Sequence, residues 1–274
     1  MQTFTGRVAA VTGAGSGIGR ALARELANRG AHLALADIDD EGLAETLALC
    51  EGAGVKVTAT RLDVADRAAV EAWADRVVEE HGRVHLVVNN AGVALAATVE
   101  AMSYEDFEWL MGINFWGVVY GTKAFLPHLK GADQGHIVNL SSVFGLVSIP
   151  SQSAYNAAKF AVRGFTDALR MELEIEGSSV SVTTVHPGGI KTNIARNARV
   201  DESITAVAGA SDPDAFDRMA LTTPEKAARA ILAAVEHDRR RVLVGPDGKV
   251  IDFLSRLPAG LYQRLLVKGA RSRR

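Results

Sequence analysis

Short apolar runs alternate with longer amphipathic runs along most of the chain, and this alternation restricts the fold more than any other feature. Compact runs rich in Val, Ile and Thr predict strands, and apolar residues at helical spacing predict helices. The predicted strands are Arg7–Thr12, Ala31–Ala36, Val55–Arg61, Val84–Val88, His136–Leu140, Val180–His186 and Arg241–Val244. The predicted helices lie near residues 18–29, 40–52, 66–81, 103–130, 152–177 and 223–236, with Asp66 and Thr223 as expected N-caps. We therefore expect an α/β fold, a single doubly wound parallel sheet of about seven strands with helices on both faces.

Two segments depart from this alternation. Residues 188–222 contain no convincing strand and only fragmentary helix, at Thr205–Ala210 and Ala215–Leu221. A long irregular segment inside a compact domain is usually functional, so we interpret it as a lid. Residues 246–274 are predicted to be an amphipathic basic extension, in which Pro258 forces any helix to restart.

Composition excludes several classes of protein. The chain of 274 residues has a formal net charge of −2, which gives no reason to expect nucleic-acid binding. The single cysteine, Cys50, cannot form an internal disulfide, and the histidines and carboxylates show no metal-ligand spacing, so no metal is expected. The N-terminus does not resemble a signal peptide, and no stretch approaches the roughly 18 apolar residues that cross a bilayer. We expect a soluble, cytoplasmic protein.

A glycine-rich turn follows the first predicted strand and opens the first predicted helix. Glycines permit a tight turn and let the backbone approach a pyrophosphate, which then lies at the positive end of the helix. This Rossmann-type arrangement indicates dinucleotide binding, although a glycine-rich turn without a ligand is the alternative. The candidate cofactor-binding residues of the turn are Gly13, Gly15, Ser16, Gly17, Ile18 and Gly19.

Asp37 stands at the end of the second predicted strand. A carboxylate there can accept hydrogen bonds from the adenosine ribose hydroxyls and would repel a 2′-phosphate. Ser16 and Ile38 offer no positive charge nearby, so the sequence favours NAD over NADP. A solvated carboxylate or a helix N-cap is the alternative interpretation of Asp37.

Tyr155 and Lys159 stand four residues apart on one face of a predicted helix. A tyrosine with a pKa of about 10 is a poor acid–base catalyst at neutral pH. A neighbouring ammonium, joined by a positive nicotinamide ring, would lower that pKa. An exposed tyrosine beside a solvated lysine is the alternative. His136 and His186, near strand ends, are interpreted as structural, since this pair already supplies the base.

The turn Thr12–Gly19 follows the pattern T-G-x-x-x-G-x-G, and the chain resembles the short-chain dehydrogenase/reductase family over about residues 5–245. The resemblance rests on seven motifs in the family's order. It implies that residues 1–245 form a dinucleotide-binding and catalytic domain that includes the lid at 188–222. Beyond the turn and Asp37, it implies that the cofactor is contacted by Asp63, Val64, Asn90, Ala91, Gly92, Tyr155, Lys159, Pro187, Gly188, Ile190 and Thr192.

The same resemblance implies four catalytic residues, Asn114, Ser142, Tyr155 and Lys159. Tyr155 would exchange the substrate's hydroxyl proton, and Ser142 would hydrogen-bond the reacting oxygen. Lys159 would lower the pKa of Tyr155 and bind the nicotinamide ribose, while Asn114 would hold a water in the proton relay. The implied activity is NAD-dependent hydride transfer between nicotinamide and a secondary alcohol or ketone.

Two other functions stay open at this point, and the sequence argues against a third. An NADP-dependent carbonyl reductase differs only in its cofactor, and a non-catalytic cofactor-binding scaffold would require a missing catalytic residue. An epimerase or dehydratase of the extended branch would carry T-G-x-x-G-x-x-G and a longer substrate domain, and neither is present.

If the family layout holds, the reacting carbon is surrounded by Leu95, Val143, Phe144, Ile194 and Met219. That wall is apolar, with Lys191 as an exception, so we expect a lipophilic alcohol or ketone.

The resemblance also implies partners. The helices at 103–130 and 152–177 resemble those through which family members associate, so a homodimer or homotetramer is expected. After Asp252 all charged residues are basic, and Leu257, Leu261, Leu265 and Leu266 recur near helical spacing. Such a segment can lie on an anionic membrane surface. We favour the alternative that its leucines pack on the lid or on a neighbouring subunit.

Overall fold

Seven parallel strands form one sheet in the computed structural model, which describes residues 1, 3–204 and 220–271. The strands of the chain are β1 (Val8–Thr12), β2 (His32–Asp37), β3 (Val57–Arg61), β4 (Leu86–Asn89), β5 (Leu95–Ala96), β6 (Gly135–Leu140), β7 (Val180–Pro187), β8 (Arg199–Val200) and β9 (Arg241–Val244). The order in the sheet is β3-β2-β1-β4-β6-β7-β9, and every pairing is parallel. The predicted fold class is confirmed.

Helices connect the strands and cover both faces of the sheet. They are α1 (Gly17–Asn28), α2 (Asp40–Cys50), α3 (Arg67–His81), α4 (Tyr104–Met111), α5 (Gly117–Lys130), α6 (Ser153–Glu176), α7 (Pro224–Glu236), α8 (Pro246–Ser255) and α9 (Ala259–Arg271). The two expected N-caps are confirmed, because Asp66 accepts from the Ala69 amide and Thr223 from the Lys226 amide.

The sheet separates two apolar cores. Side chains alternate between faces along a strand, so Ala9 and Val11 of β1 join one core, while Val8 and Ala10 join the other. The first core packs against α1 and α7, and the second packs against α3, α5 and α6. Burial on both faces explains why the central strands are apolar throughout rather than alternating with polar residues.

Two sequence predictions need correction. The single helix expected at 103–130 is interrupted between α4 and α5 by a π-helical segment, Gly112–Trp116. The lid was expected to lack a strand, but β8 within it pairs with β5 in a second, two-stranded sheet. The predicted fragment Thr205–Ala210 lies outside the described residues. So does most of Ala215–Leu221, and its last two residues are not helical.

The C-terminal extension forms α8 and α9, which are separated at Pro258 as predicted. Asp252 of α8 is buried and pairs with Arg241 of β9 at 3.1 Å and with Arg256 at 2.8 Å. On α9, by contrast, Leu261 and Leu266 are 47% and 37% exposed. The described part of the lid therefore does not bury these two leucines. None of the helices in the described ranges combines the length and the apolarity needed to cross a bilayer.

Two helical glycines test the packing of this fold. A Cβ at Gly121 of α5 would overlap the amide oxygen of buried Asn89, whereas a Cβ at Gly164 of α6 would meet nothing within 4 Å. We expect Gly121→Ala to lower the free energy of unfolding by about 1–3 kcal/mol through overpacking. Gly164→Ala, the matched control, should raise it by about 0.5–1 kcal/mol through helix propensity. Equal effects in urea denaturation would contradict the packing described for α5.

Candidate active site

The glycine-rich turn joins β1 to α1 with little room to spare. Gly13 has a φ of +64° and Gly17 a φ of +50°, a conformation that favours glycine. A Cβ at Gly19 would overlap the carbonyl oxygen of Gly13, and a Cβ at Gly13 would lie 2.7 Å from Asn90 Nδ2. The glycines are therefore needed for the turn itself to close, apart from any ligand.

The turn is fastened to the end of β4 by Asn90. Its side-chain amide donates to the Thr12 carbonyl at 2.9 Å and to the Gly13 carbonyl at 3.0 Å. The Thr12 hydroxyl accepts from the backbone amides of Asn90 and Ala91 at 3.0 and 3.2 Å. These bonds hold two candidate cofactor-binding segments, the glycine turn and Asn90–Gly92, side by side.

The N-terminus of α1 is open to an anion. The Ser16 side chain does not cap it, and its first turn contains no acidic residue. Thr192 lies against it, since a Cβ at Gly17 would be 3.0 Å from Thr192 Cγ2. Uncapped backbone amides at the positive end of a helix fit the pyrophosphate of a dinucleotide. The N-terminus of α1 therefore has the geometry needed to bind the pyrophosphate of the predicted dinucleotide.

Asp37 reaches the glycine turn from the end of β2. Its carboxylate accepts from the Gly15 amide at 2.7 Å and from the Asp39 amide at 3.1 Å. Sequence reasoning missed Arg20, whose guanidinium donates to the Gly15 carbonyl of this turn and to the Gly42 carbonyl in the first turn of α2. Glu45 pairs with Arg20 at 2.7 Å and offsets its charge. The position of Arg20 on α1, one residue past the glycine motif, was the available signal.

Asp63 and Val64 follow β3. Asp63 is exposed, and one of its carboxylate oxygens accepts from the Ala65 amide at 2.9 Å. Val64 is 8% exposed and packs on α5, because a Cβ at Gly117 would lie 2.8 Å from Val64 Cγ2. The side chain of Val64 therefore stabilises the fold, and a cofactor contact from this residue would use its backbone.

A buried polar network beneath the site also escaped sequence reasoning. Asn89 of β4 donates to Asn139 of β6 at 2.8 Å and to Thr122 of α5 at 3.1 Å. Asn139 donates in turn to Thr166 of α6 at 3.0 Å. An asparagine inside each of two apolar strands was the signal, since a buried amide needs partners. The network fixes α5 and α6 relative to the strand ends that carry the site.

Asn114 lies in the π-helical segment and is completely buried. Its side-chain oxygen accepts from the Val93 amide and its nitrogen donates to the Val93 carbonyl, both at 2.8 Å. A Cβ at Gly92 would lie 3.2 Å from the Asn114 oxygen and 3.7 Å from Lys159 Nζ. Both hydrogen bonds of the Asn114 amide are therefore made to the loop that runs beside Lys159. Gly92 has no side chain, and this lets the loop approach Asn114 and Lys159 closely.

Ser142, Tyr155 and Lys159 come together beyond the end of β6. Lys159 is 4% exposed, donates from Nζ to the Leu140 carbonyl at 2.9 Å, and has Nζ 5.5 Å from the centre of the Tyr155 ring. The Ser142 hydroxyl lies close enough to that of Tyr155 to lower the pKa of the tyrosine. Four-residue spacing on α6 puts Tyr155 and Lys159 on one face, as predicted.

Burial controls the acid–base properties of this pair. It raises the pKa of Tyr155 to about 12, against which the hydrogen bond from Ser142 acts in the opposite direction. It lowers the pKa of Lys159 to about 8. The expected fall in the pKa of Tyr155 is therefore not found in the protein alone, because desolvation of the phenolate outweighs the lowering by Ser142.

The segment after β7 forms a further wall. The Gly188 amide donates to the Val244 carbonyl at 2.9 Å, and the Gly189 amide donates to Asp247 of α8 at 2.5 Å. A Cβ at Gly188 would overlap the Asp247 carboxylate, so the two backbones approach closely. Ile190 is buried and forms a parallel β-bridge with Thr222. This backbone pairing joins the two ends of the lid. Sequence reasoning assigned Asp247 no role.

The expected substrate residues are only partly brought together. Phe144 packs edge-on against the Tyr155 ring with a centroid distance of 6.0 Å, and Leu95 is buried in a cluster that Tyr155 joins. Val143 is 5% exposed and lies against Gly248 of α8. Ile194 is half-buried in the lid, and Met219 lies outside the described residues. The described residues include no group of three or more His, Cys, Asp or Glu that could hold a metal ion.

Comparison with known proteins agrees with this geometry. The family model for short chain dehydrogenases matches residues 7–203. The SadH protein of Mycobacterium tuberculosis, named as an oxidoreductase, is 52% identical over 270 residues, 98% of this chain and 97% of that protein. A short-chain dehydrogenase/reductase from Burkholderia phymatum in complex with NAD has a TM-score of 0.87 and 35% identity, covering 93% of this chain and 94% of its own. An alcohol dehydrogenase from Thermococcus sibiricus complexed with 5-hydroxy-NADP has a TM-score of 0.71 and 28% identity, covering 84% and 90%.

The buried ammonium of Lys159 should cost stability. We expect Lys159→Met to raise the free energy of unfolding at neutral pH by about 1–3 kcal/mol. The pKa of Lys159 is lowered from 10.5 to about 8 by folding, so the unfolded chain holds a proton that the folded protein releases between these values. The stability of the wild type should therefore rise relative to the variant from about pH 8 to about pH 10.

Denaturant titrations across this pH range would measure the difference in the free energy of unfolding between Lys159→Met and the wild type. Lys123→Met, at an exposed lysine, is the control. If this difference in the free energy of unfolding stays constant or increases with rising pH, Lys159 is not desolvated as described.

Proposed function

Because the chain belongs to the short-chain dehydrogenase/reductase family, we propose that it is an NAD-dependent oxidoreductase acting on the CH–OH group of a secondary alcohol, or on the matching ketone. One observation carries the proposal. A tyrosine, a serine and a buried lysine meet at the edge of the sheet where the uncapped N-terminus of α1 also lies. Open parallel sheets bind ligands at this edge.

Tyr155 is the proposed acid and base. In alcohol oxidation its oxygen takes the hydroxyl proton, and in ketone reduction it returns that proton to the carbonyl oxygen. The Ser142 hydroxyl holds the reacting oxygen beside Tyr155. Bound NAD would supply the hydride acceptor at its nicotinamide, together with a positive charge that favours the phenolate.

Lys159 and Asn114 would support this proton transfer. The Lys159 ammonium would bind the nicotinamide ribose and stabilise the developing phenolate, since Coulomb attraction is strong in a buried site. The Asn114 side chain is occupied by Val93, so a water of the proposed relay would be held by the main chain of the π-helical segment. Such segments are frequent at functional sites.

NAD is the proposed cofactor, with NADP as the alternative. The Asp37 carboxylate contacts the glycine turn from the end of β2, where it would repel a 2′-phosphate. Similar structures hold either cofactor type, because the Burkholderia structure contains NAD and the Thermococcus structure contains 5-hydroxy-NADP. The choice therefore depends on this chain's own charges, and Glu45 offsets the charge of Arg20, which contacts the glycine turn.

A lipophilic alcohol or ketone is the proposed substrate. Phe144 presents an aromatic face beside Tyr155, and Leu95 lies in the apolar cluster that Tyr155 joins. Apolar walls with few polar groups are typical of sites for apolar ligands. Lys191 of the lid is exposed and would be a charged exception in this wall.

We also propose that the chain assembles as a homodimer or homotetramer. Large apolar side chains are exposed on α6 and on the π-helical segment before α5, within the helices expected to form the interface: Trp116 at 47%, Phe160 at 38%, Met171 at 54% and Ile175 at 88%. The exposed leucines of α9 offer a second surface for a neighbouring subunit, and an anionic membrane is the alternative partner for its basic residues.

Loss of the Tyr155 hydroxyl tests the catalytic assignment. Tyr155→Phe should lower kcat by about 100- to 10,000-fold with little change in the Kd for NAD, because only the proton-transfer group is removed. Tyr104→Phe removes the same hydroxyl from a side chain that is 86% exposed and should leave kcat unchanged.

The assay should compare apolar secondary alcohols with polyols of matched size. Activity of Tyr155→Phe within tenfold of wild type would refute Tyr155 as the acid and base. Faster turnover of polyols would refute the lipophilic substrate. Binding of NAD without turnover of any alcohol or ketone would favour the scaffold.

Removal of the Asp37 carboxylate tests the choice of cofactor. The wild type should bind NAD more tightly than NADP, and Asp37→Ala should narrow the ratio of the two Kd values by about tenfold or more. Asp39→Ala removes an exposed carboxylate two residues away, which makes no capping hydrogen bond, and should leave the ratio nearly unchanged. Tighter NADP binding by the wild type in calorimetric titration would overturn NAD preference.

A further inference from the structure

His186 lies next to the proposed catalytic serine although the sequence separates them widely. It is completely buried near the end of β7, the strand that pairs with β6. Its Nδ1 atom is 2.8 Å from the carbonyl oxygen of Ser142. No other part of the proposed mechanism uses this histidine.

The protonation of the ring follows from its partner. A carbonyl oxygen can only accept, so Nδ1 carries the hydrogen and donates it to Ser142. Nε2 is then an acceptor, and it is buried without a partner in the described part of the chain. Arg163, Asp167 and Arg241 are the charged groups around the ring, and burial lowers the pKa of His186 to about 4. The ring is therefore a neutral, single donor aimed at one backbone oxygen.

The Ser142 carbonyl group also takes part in the backbone hydrogen bonds that orient the Ser142 side chain. The Ser142 carbonyl also accepts from the Gly145 amide at 2.9 Å, and the Ser142 hydroxyl accepts from the Phe144 amide at 3.1 Å. Ser142 thus starts a tight 3-10 turn in which the backbone orientation sets the direction of its hydroxyl. The histidine is the one contact of this set that comes from another strand.

We propose that His186 is a positioning residue that holds the Ser142 hydroxyl against Tyr155 by fixing the Ser142 carbonyl. This inference rests on the proposed function, because it takes Ser142 and Tyr155 to be the reacting groups. A misplacement of reacting groups by about 1 Å can lower a rate by about 100-fold, so a single backbone contact can control turnover.

Two substitutions of His186 distinguish the effect of its hydrogen bond from the effect of its packing. His186→Leu fills a similar volume without a donor, whereas His186→Asn places an amide N–H as far from Cβ as Nδ1 is. We expect His186→Leu to lower kcat by about 10- to 100-fold while the KM and Kd for NAD change little. His186→Asn should restore kcat to within about threefold of wild type.

A double-mutant cycle with Ser142→Ala, followed in single turnovers, links the effect to the serine. His186→Leu should lower the rate much less when Ser142 is already absent. If kcat is unchanged in His186→Leu, or if Leu and Asn lower kcat and thermal stability alike, His186 does not position Ser142. A normal rate for Ser142→Ala alone would instead refute the serine's proposed catalytic role, and with it the purpose of His186.

Discussion

The hydrogen bond from the Lys159 ammonium to the Leu140 carbonyl is the interaction around which the rest of the site is arranged. A buried cation needs a partner, and here the last carbonyl of β6 supplies it. The backbone near this lysine is fixed as well, because Ser141 donates to the Lys159 carbonyl at 2.8 Å. Gly145 makes room for that bond, since a Cβ there would overlap the Ser141 hydroxyl. Sheet, tight turn and helix α6 therefore meet at one residue.

The same burial that requires this partner sets the reactivity of the site. It moves the pKa of Lys159 downward and the pKa of Tyr155 upward, so both side chains are driven toward their neutral forms. A positive charge entering such a poorly solvated site acts strongly, because little water screens it. Reactivity would then depend on the arrival of the cofactor, and the protein alone would hold Tyr155 protonated. The cost of the buried ammonium is offset by two apolar cores elsewhere in the sheet.

Patterns with a strict period could be predicted from the sequence, and contacts between distant segments could not. Alternating apolar runs indicated the seven strands of the sheet, and four-residue spacing indicated that Tyr155 and Lys159 share a face. Strand β8 was missed because its two residues, Arg199 and Val200, are too few to show a period of alternation. The π-helical segment was missed because its register depends on the tertiary bond between Asn114 and Val93. His186 was judged structural because Tyr155 and Lys159 already supply the base, and its contact with Ser142 joins segments that are far apart in the sequence.

The C-terminal region shows how far tertiary contacts can extend a site beyond the motifs. The family model ends at residue 203, yet α8 packs its Asp247 against the segment after β7 and its Gly248 against Val143. Asp252 then ties α8 to β9 through Arg241. A boundary at residue 245 would separate α8 from the residues it supports, so we propose that α8 belongs to the catalytic domain. Helix α9, on which Leu261, Leu266 and Val267 are exposed, is the part that behaves as a true extension.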